Sequence, residues 1–293
     1  MSGFKSGFTA IIGRTNAGKS TLLNAIVGQK ISIISDKVQT TRNTVRGFAT
    51  SKDSQIVFLD TPGIHKGSGL LGKFMFREAV SSLDGADVII FLVEADRDVS
   101  NDERFIISLL ENVKTPVLLV INKIDKVSRQ TLLPLIKTYS GLYNFKEVFP
   151  ISALKGDGVS QLVDAIKKEL PEGPLYFPED SLTDQPERFV VAEMIREKVF
   201  QFTRQEVPYS TAVVIESFIE GKKLISISAA INVEKDSQKG ILIGKGAQTL
   251  KRIGTAARHD IEKLLGVKVF LELFVRVEDD WTKRPDVMKD YGY

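Results

Sequence analysis

Cysteine is missing altogether from this chain of 293 residues, which excludes disulfides and thiolate-bound metal. Long apolar runs are missing too. Residues 86–93 (ADVIIFLV) form one of the longest, far too short to cross a bilayer. No basic segment followed by an apolar core opens the sequence, so no secretory leader is expected and the cytosol is the default. Nor is there a large excess of charge. Forty Lys and Arg face 37 Asp and Glu, for a net +3 and a pI near 8.8, so a nucleic-acid partner must be argued from where the charges lie. With 26% charged and 43% hydrophobic residues, the composition is that of a soluble globular protein long enough for two cores.

What is present is organised around Gly13, Arg14, Thr15, Asn16, Ala17, Gly18, Lys19, Ser20 and Thr21. The spacing GxxxxGKS lies between the strand-like run 8–12 and a stretch, 19–27, with apolar residues at helical spacing, which is the setting a phosphate-binding loop requires. Its glycines let successive N–H groups turn towards phosphate oxygens, and the helix adds its positive end. Lys19 is then the expected partner of the β and γ phosphates, and the Ser20 hydroxyl a ligand of Mg²⁺.

Four later segments fit as partners to this loop. Residues 30–46 are polar and lack sustained periodicity, as expected of a mobile connection; Thr40 and Thr41 both qualify as the threonine that completes Mg²⁺ coordination and meets the γ phosphate. The run 55–59 ends in Asp60-Thr61-Pro62-Gly63, where Asp60 is expected at the metal and the Gly63 N–H at the γ phosphate. Ile64 follows, in the place where many GTPases carry a water-positioning glutamine; an aliphatic side chain orients no water, so slow intrinsic turnover is expected. Runs 86–93 and 115–121 read as inner parallel strands joined through a helix near 103–110. The second enters Asn122-Lys123-Ile124-Asp125. Asp125 can accept hydrogen bonds from N1–H and the exocyclic amine of guanine; Asn122 would tie the base loop to the phosphate loop, and the Lys123 stem would cover the ring. A strand at 147–151 then delivers Ser152-Ala153-Leu154-Lys155, whose backbone N–H groups are expected to contact the guanine oxygen.

Taken in this order, the motifs resemble those of the translation-factor-related GTPases over roughly residues 1–170. Asn16 and the aliphatic Ile64 resemble the subgroup that uses K⁺ or a partner in place of a glutamine. Lys19, Asn16, Thr40, Thr41 and Gly63 are the residues the resemblance implicates in catalysis.

Prolines 171, 174, 178 and 186 crowd the next stretch, giving an expected division into 1–172, a stiff linker 173–186, and a second domain 187–293. Beyond the linker, a helical stripe at 187–203, two alternating strands at 211–219 and 223–233, helices on either side of Gly244-Lys245-Gly246-Ala247, and a strand at 268–277 give the order αββααβ. That order resembles a bacterial-type KH domain, in which a GxxG break clamps single-stranded RNA. Here the last glycine is Ala247, with Gly246 beside it. From 237 to 259 the chain carries Lys239, Lys245, Lys251, Arg252 and Arg258 and no acidic residue, as backbone phosphate contacts would require. Ile241 and Ile243 are candidates for an apolar floor under the bases.

A mostly parallel α/β GTPase domain with helices on both faces, followed by an α+β KH domain, resembles the Era family across essentially the whole chain. The resemblance implies GTP as substrate, GDP as product, Mg²⁺, and K⁺ as a further cation. It also implies binding to the 3′ end of small-subunit ribosomal RNA, a role in late assembly of that subunit, a monomer, and peripheral association with the cytoplasmic membrane. Two other readings stand beside it: an RNA-binding protein that holds GTP as a structural ligand, and a GTPase acting on another RNA or membrane target. Trp281 is expected to anchor the tail 281–293.

Overall fold

The β-branched runs of the first half form one six-stranded sheet in the computed structural model, which describes residues 3–35, 37, 40–64 and 69–293. Contacts divide the chain into two units, one of Met1–Ser32, Thr41–Gly67 and Met75–Asp184, the other of Ile33–Thr40, Ser68–Phe74 and Gln185–Tyr293. In the first unit the elements are β1 (Lys5–Gly13), α1 (Lys19–Val27), β2 (Val45–Thr50), β3 (Ser54–Asp60), the part of α2 (Gly69–Ser81) from Met75 on, β4 (Val88–Glu94), α3 (Asn101–Leu110), β5 (Val117–Asn122), α4 (Arg129–Ser140), β6 (Glu147–Pro150) and α5 (Val159–Glu169). The sheet order is β2-β3-β1-β4-β5-β6. Every neighbouring pair is parallel except β2–β3.

Strands β4 and β5 are buried at every position, which is why they read as unbroken apolar runs. Strand β1 sits between β3 and β4, so the chain order reverses beside it and leaves a crevice at the carboxyl ends of the strands. The register places Ile11 opposite Asp60 on one side and Gly13 opposite Leu92 on the other. Helix α3 begins with a capping box, in which Glu103 N–H donates to Ser100 Oγ and Ser100 N–H to Glu103 Oε2 at 2.7 Å.

Two expectations change here. Residues 30–46 are not wholly a connection, because Val45 opens β2, an antiparallel edge strand whose mixed sequence VRGFAT hides its alternation. Positions 36, 38 and 39 of that stretch lie outside the described residues. The proline-rich segment, expected as a linker, is instead bound to the first unit as far as Asp184. Gln55 accepts from the N–H groups of Tyr176 and Phe177 and donates to the Phe177 carbonyl. Phe48 N–H donates to Leu182 O at 2.8 Å, and the Phe48 and Phe177 rings stack with centroids 4.0 Å apart.

The second unit contains α6 (Glu187–Phe202), β7 (Ala212–Glu220), β8 (Leu224–Val233), α7 (Asp236–Ile243), α8 (Gln248–Leu265), β9 (Lys268–Val277) and α9 (Pro285–Asp290). Strand β8 lies between an antiparallel β7 and a parallel β9. Ile253, Ala257 and Ile261, one helical stripe of α8, pack with Val191, Met194, Ile195 and Val199 of α6 in a core that also takes in Ile227, Ala229 and Ile231. Trp281 is fully buried beside Ala212, Val287 and Met288, and its Nε1–H donates to Ser210 O at 2.8 Å, which makes it the anchor of the tail. Among the described residues no helix is long and apolar enough to cross a membrane.

Candidate nucleotide and nucleic-acid sites

The phosphate loop is shaped by what surrounds it. Gly18 has φ +102°, and a Cβ there would stand 2.3 Å from Asn122 Nδ2, so the position excludes other residues on both counts. At Gly63 a Cβ would meet the Thr15 backbone nitrogen at 2.6 Å; the glycine lets the DTPG turn lie against the loop. Lys19 is buried, and its Nζ donates to Gly13 O at 3.2 Å and Arg14 O at 2.8 Å. Burial lowers its pKa to about 8, against the opposing fields of Asp60 and Glu94. The Arg14 side chain turns away to Asp102, 3.5 Å distant.

Around Asp60 the structure collects a set of hard oxygen donors. Its Oδ2 accepts from Ser20 Oγ at 2.6 Å and from Ser32 Oγ at 2.8 Å, and Ser20 Oγ lies 3.0 Å from Thr41 Oγ1. Oδ1 of Asp60 is buried and has no partner, and burial raises the pKa of the carboxyl. A carboxylate oxygen left orphaned beside two hydroxyls fits Mg²⁺, which takes oxygen ligands. The two threonines part company: Thr40 Oγ1 donates to Lys37 O at 2.8 Å, while Thr41 Oγ1 lies beside Ser20. Ser32 is not legible in the sequence, where nothing sets it apart from other serines of a polar stretch.

The base loop is braced from both sides. Asn122 Nδ2 donates to Ala17 O at 2.8 Å, and Asn122 Oδ1 accepts from Ala153 N–H at 2.9 Å, so one amide joins the phosphate loop, β5 and the SALK turn. Lys123, at φ +66°, donates to Asn16 O at 2.8 Å and forms a close ion pair with Glu94. Asp125 is exposed; the Ser152 hydroxyl donates to its Oδ1 at 2.6 Å and holds its pKa below the usual carboxylate value. Leu154 is exposed at the mouth of this loop, and Thr21 lies within α1 below it. Ile64 is fully buried in the core with Ala10 and Ile12, and its N–H donates to Gly13 O. Its side chain thus serves the core.

In the second unit, α7 and α8 meet at the turn Gly244–Ala247. Lys245, Gly246, Ala247, Lys251, Arg252 and Arg258 are exposed, and Lys239 is half-buried. Ala247 occupies the left-handed region at φ 61°, ψ 21°, directly after Gly246 at φ 57°. Ile241 is exposed and Ile243 half-buried, whereas Leu242 between them is in the core. The Arg252 guanidinium stands over the Phe202 ring, 4.7 Å from its centroid, so part of its bonding capacity is already used.

Comparison with known proteins gives two family matches. Residues 8–123 match the family described as 50S ribosome-binding GTPase, and residues 206–282 match the KH domain. Among curated relatives, GTPase Era of Geotalea uraniireducens (strain Rf4) is 57% identical over 291 residues, covering 99% of this chain and 98% of the relative. GTPase Era of Staphylococcus haemolyticus (strain JCSC1435) is 49% identical over 294 residues, covering 100% and 98%. Among solved structures, Era in complex with MgGDPNP and nucleotides 1506–1542 of 16S ribosomal RNA superposes with a TM-score of 0.96 at 43% identity, with 99% of each chain covered. A tyrosine-to-alanine variant of Aquifex aeolicus Era bound to GDP and AlF4⁻ gives 0.95 at 43% identity and the same coverage.

Proposed function

Since the chain belongs to the Era family of GTPases, we propose that it uses GTP hydrolysis to time the hold of its second unit on the 3′ end of small-subunit ribosomal RNA during late assembly of that subunit. The observation that carries the proposal is one chain holding both a braced guanine loop and an exposed basic turn between α7 and α8. The matched GTPase family is described by the large subunit, but that match covers only part of the chain. The relative solved with 16S ribosomal RNA covers 99% of it, and the proposal follows the fuller comparison.

On this reading Asp125 selects guanine, and Asn122 and Lys123 hold the base loop against the phosphate loop. Gly13, Arg14, Thr15, Asn16, Ala17, Gly18 and Thr21 present backbone and side chain to the phosphates, and Ser152, Ala153 and Leu154 close the base pocket. Mg²⁺, held by Ser20, Asp60 and a switch threonine, would neutralise charge between the β and γ phosphates; Thr41, beside Ser20, is the better placed of the pair. The Lys19 ammonium, which donates to the Gly13 and Arg14 carbonyls, would donate to the phosphates, whose charge favours its protonated form against the effect of burial. Water attacks the γ phosphorus as the bond to the β–γ bridging oxygen breaks; that oxygen keeps the electron pair and leaves with GDP, and the water's oxygen and protons leave with inorganic phosphate. With Ile64 committed to the core, the chain relies on positioning and charge, and Asn16 with K⁺ is the proposed supplement.

Lys239, Gly244, Lys245, Gly246, Ala247, Lys251, Arg252 and Arg258 would meet RNA backbone, with Ile241 and Ile243 beneath the bases. The reading includes a monomer working in the cytoplasm, with membrane contact made from the surface. The test is phosphate release with and without a single-stranded segment of the 16S 3′ end, in KCl and in NaCl at matched ionic strength. RNA is expected to stimulate release, and KCl to support it better than NaCl. Negligible turnover under every condition would favour GTP as a structural ligand, and equal rates in the two salts would remove K⁺ from the mechanism.

A further inference from the structure

Glu94 is the last residue of β4, and its carboxylate is nearly out of reach of water. A buried carboxylate costs several kcal/mol unless it is paired. In register it stands opposite Asn122 on β5, at the same carboxyl end of the sheet that carries the base loop. Two cations lie within ion-pair distance of it, and its field also reaches Lys19. Lys123 Nζ is in close contact with Oε2, and the Arg97 Nε lies 3.6 Å from Oε1 with its own side chain 56% exposed. The same Lys123 ammonium donates to Asn16 O at 2.8 Å. Glu94, Lys123 and Asn16 therefore form a chain from the end of β4, through the base loop, to the phosphate loop. It runs beside the other tie between those loops, from Asn122 to Ala17.

Lys123 sits in the left-handed region, where a lysine gains nothing from its own backbone preference. Its side chain must be held by its partners. Asn16 O offers one neutral acceptor, whereas Glu94 offers a charged one in a nearly dry site, the stronger of the two. We propose that Glu94 is a positioning residue for nucleotide binding: it holds the Lys123 stem as a wall of the guanine pocket and so sets how long GDP and GTP stay bound. The proposal rests on the reading of Asn122 to Asp125 as the base loop. Glu94 acts through Lys123, since its carboxylate is directed to that ammonium and to Arg97.

The test is stopped-flow binding and release of a fluorescent GDP analogue by the full chain with Mg²⁺, for the native protein, Glu94→Gln, Lys123→Met and the double variant. Glu94→Gln is expected to release GDP about tenfold faster, the equivalent of one charge-assisted hydrogen bond, with association unchanged. The double variant should release no faster than Lys123→Met. Glu94→Asp keeps the buried charge but withdraws it by one methylene, and is expected to release GDP at least about fivefold faster if the contact with Lys123 is what matters. Arg97→Ala is expected to leave release unchanged. Release within about twofold of native for both Glu94 variants, or effects of Glu94→Gln and Lys123→Met that multiply, would overturn the proposal. Native-like release by Lys123→Met would overturn the proposal as well, whereas unchanged guanine selectivity in Asp125→Asn would overturn the base-loop reading on which it rests.

Discussion

Ala247 is the residue whose sequence and backbone disagree most openly. A glycine is expected at the end of the GxxG break, and the structure keeps a glycine-like conformation there, φ 61° and ψ 21°, with an alanine in it. The left-handed region costs a Cβ-bearing residue about 1–2 kcal/mol, and glycine gives back part of that gain through its freer unfolded chain. The methyl is exposed and so has no packing to lose. Ala247→Gly is expected to raise the stability of the second unit by about 0.5–1 kcal/mol, read from urea unfolding. A loss of stability would show that the methyl has a contact worth more than the strain. The neighbouring Gly246, at φ 57°, already supplies one left-handed step, which explains how the turn survives the substitution.

At the level of elements, the proline-rich segment is the clearest case in which composition misleads. Prolines correctly predict that no helix continues, but stiffness is compatible with a strap as well as with a linker. What fixes this one is Gln55, fully buried on β3, whose amide makes hydrogen bonds to Tyr176 N, Phe177 N and Phe177 O. Gln55→Ala leaves those backbone groups to find water and is expected to cost the first unit about 2 kcal/mol in urea unfolding; a cost under about 0.5 kcal/mol would show that the stacked Phe48 and Phe177 rings and the bond from Phe48 to Leu182 hold the strap alone. The sequence reads most clearly where one physical demand dominates. Buried strands such as β4 and β5 must be apolar, and the phosphate and base loops must combine glycines with fixed polar groups, so both are visible in a single chain. β2 is an edge strand with mixed composition, and α2 and α4 carry weaker signals, so they are seen only in three dimensions. Within the candidate site the same line separates Asp125, which names the base by its chemistry, from Ser32 and Glu94. These two act by the register of strands and loops, which spacing does not convey. A charged residue closing an apolar run, as Glu94 closes ADVIIFLV, is the one signal that points that way.

For the molecule as a whole, the decisive quantity is the distribution of charge. The net charge of the full chain is only +3, yet residues 237–259 contain five Lys and Arg and no acidic residue. A nearly neutral protein with a local basic segment gains RNA affinity mainly from the phosphates that segment can reach, and each contact releases counterions. Lys251 and Arg258 lie seven positions apart on α8 and so share one face of it, both exposed. Arg252, held over Phe202, is less free to follow a backbone. Lys251→Glu therefore reverses charge on the face that counts, and is expected to weaken binding of a 16S 3′ segment about tenfold or more. The slope of log affinity against log salt should fall by roughly 1, with GTP affinity and GTP hydrolysis in the absence of RNA both unchanged. Fluorescence anisotropy across a salt series measures the first two, nucleotide titration the third and phosphate release the fourth. A tenfold loss with the slope intact would mean that Lys251 acts by shape, and unchanged RNA binding would move the interface off α8. If the expected pattern is found, RNA-stimulated hydrolysis must fall in the same variant when RNA is limiting and recover when it is saturating. Occupancy of the basic turn would then be the only quantity that has changed.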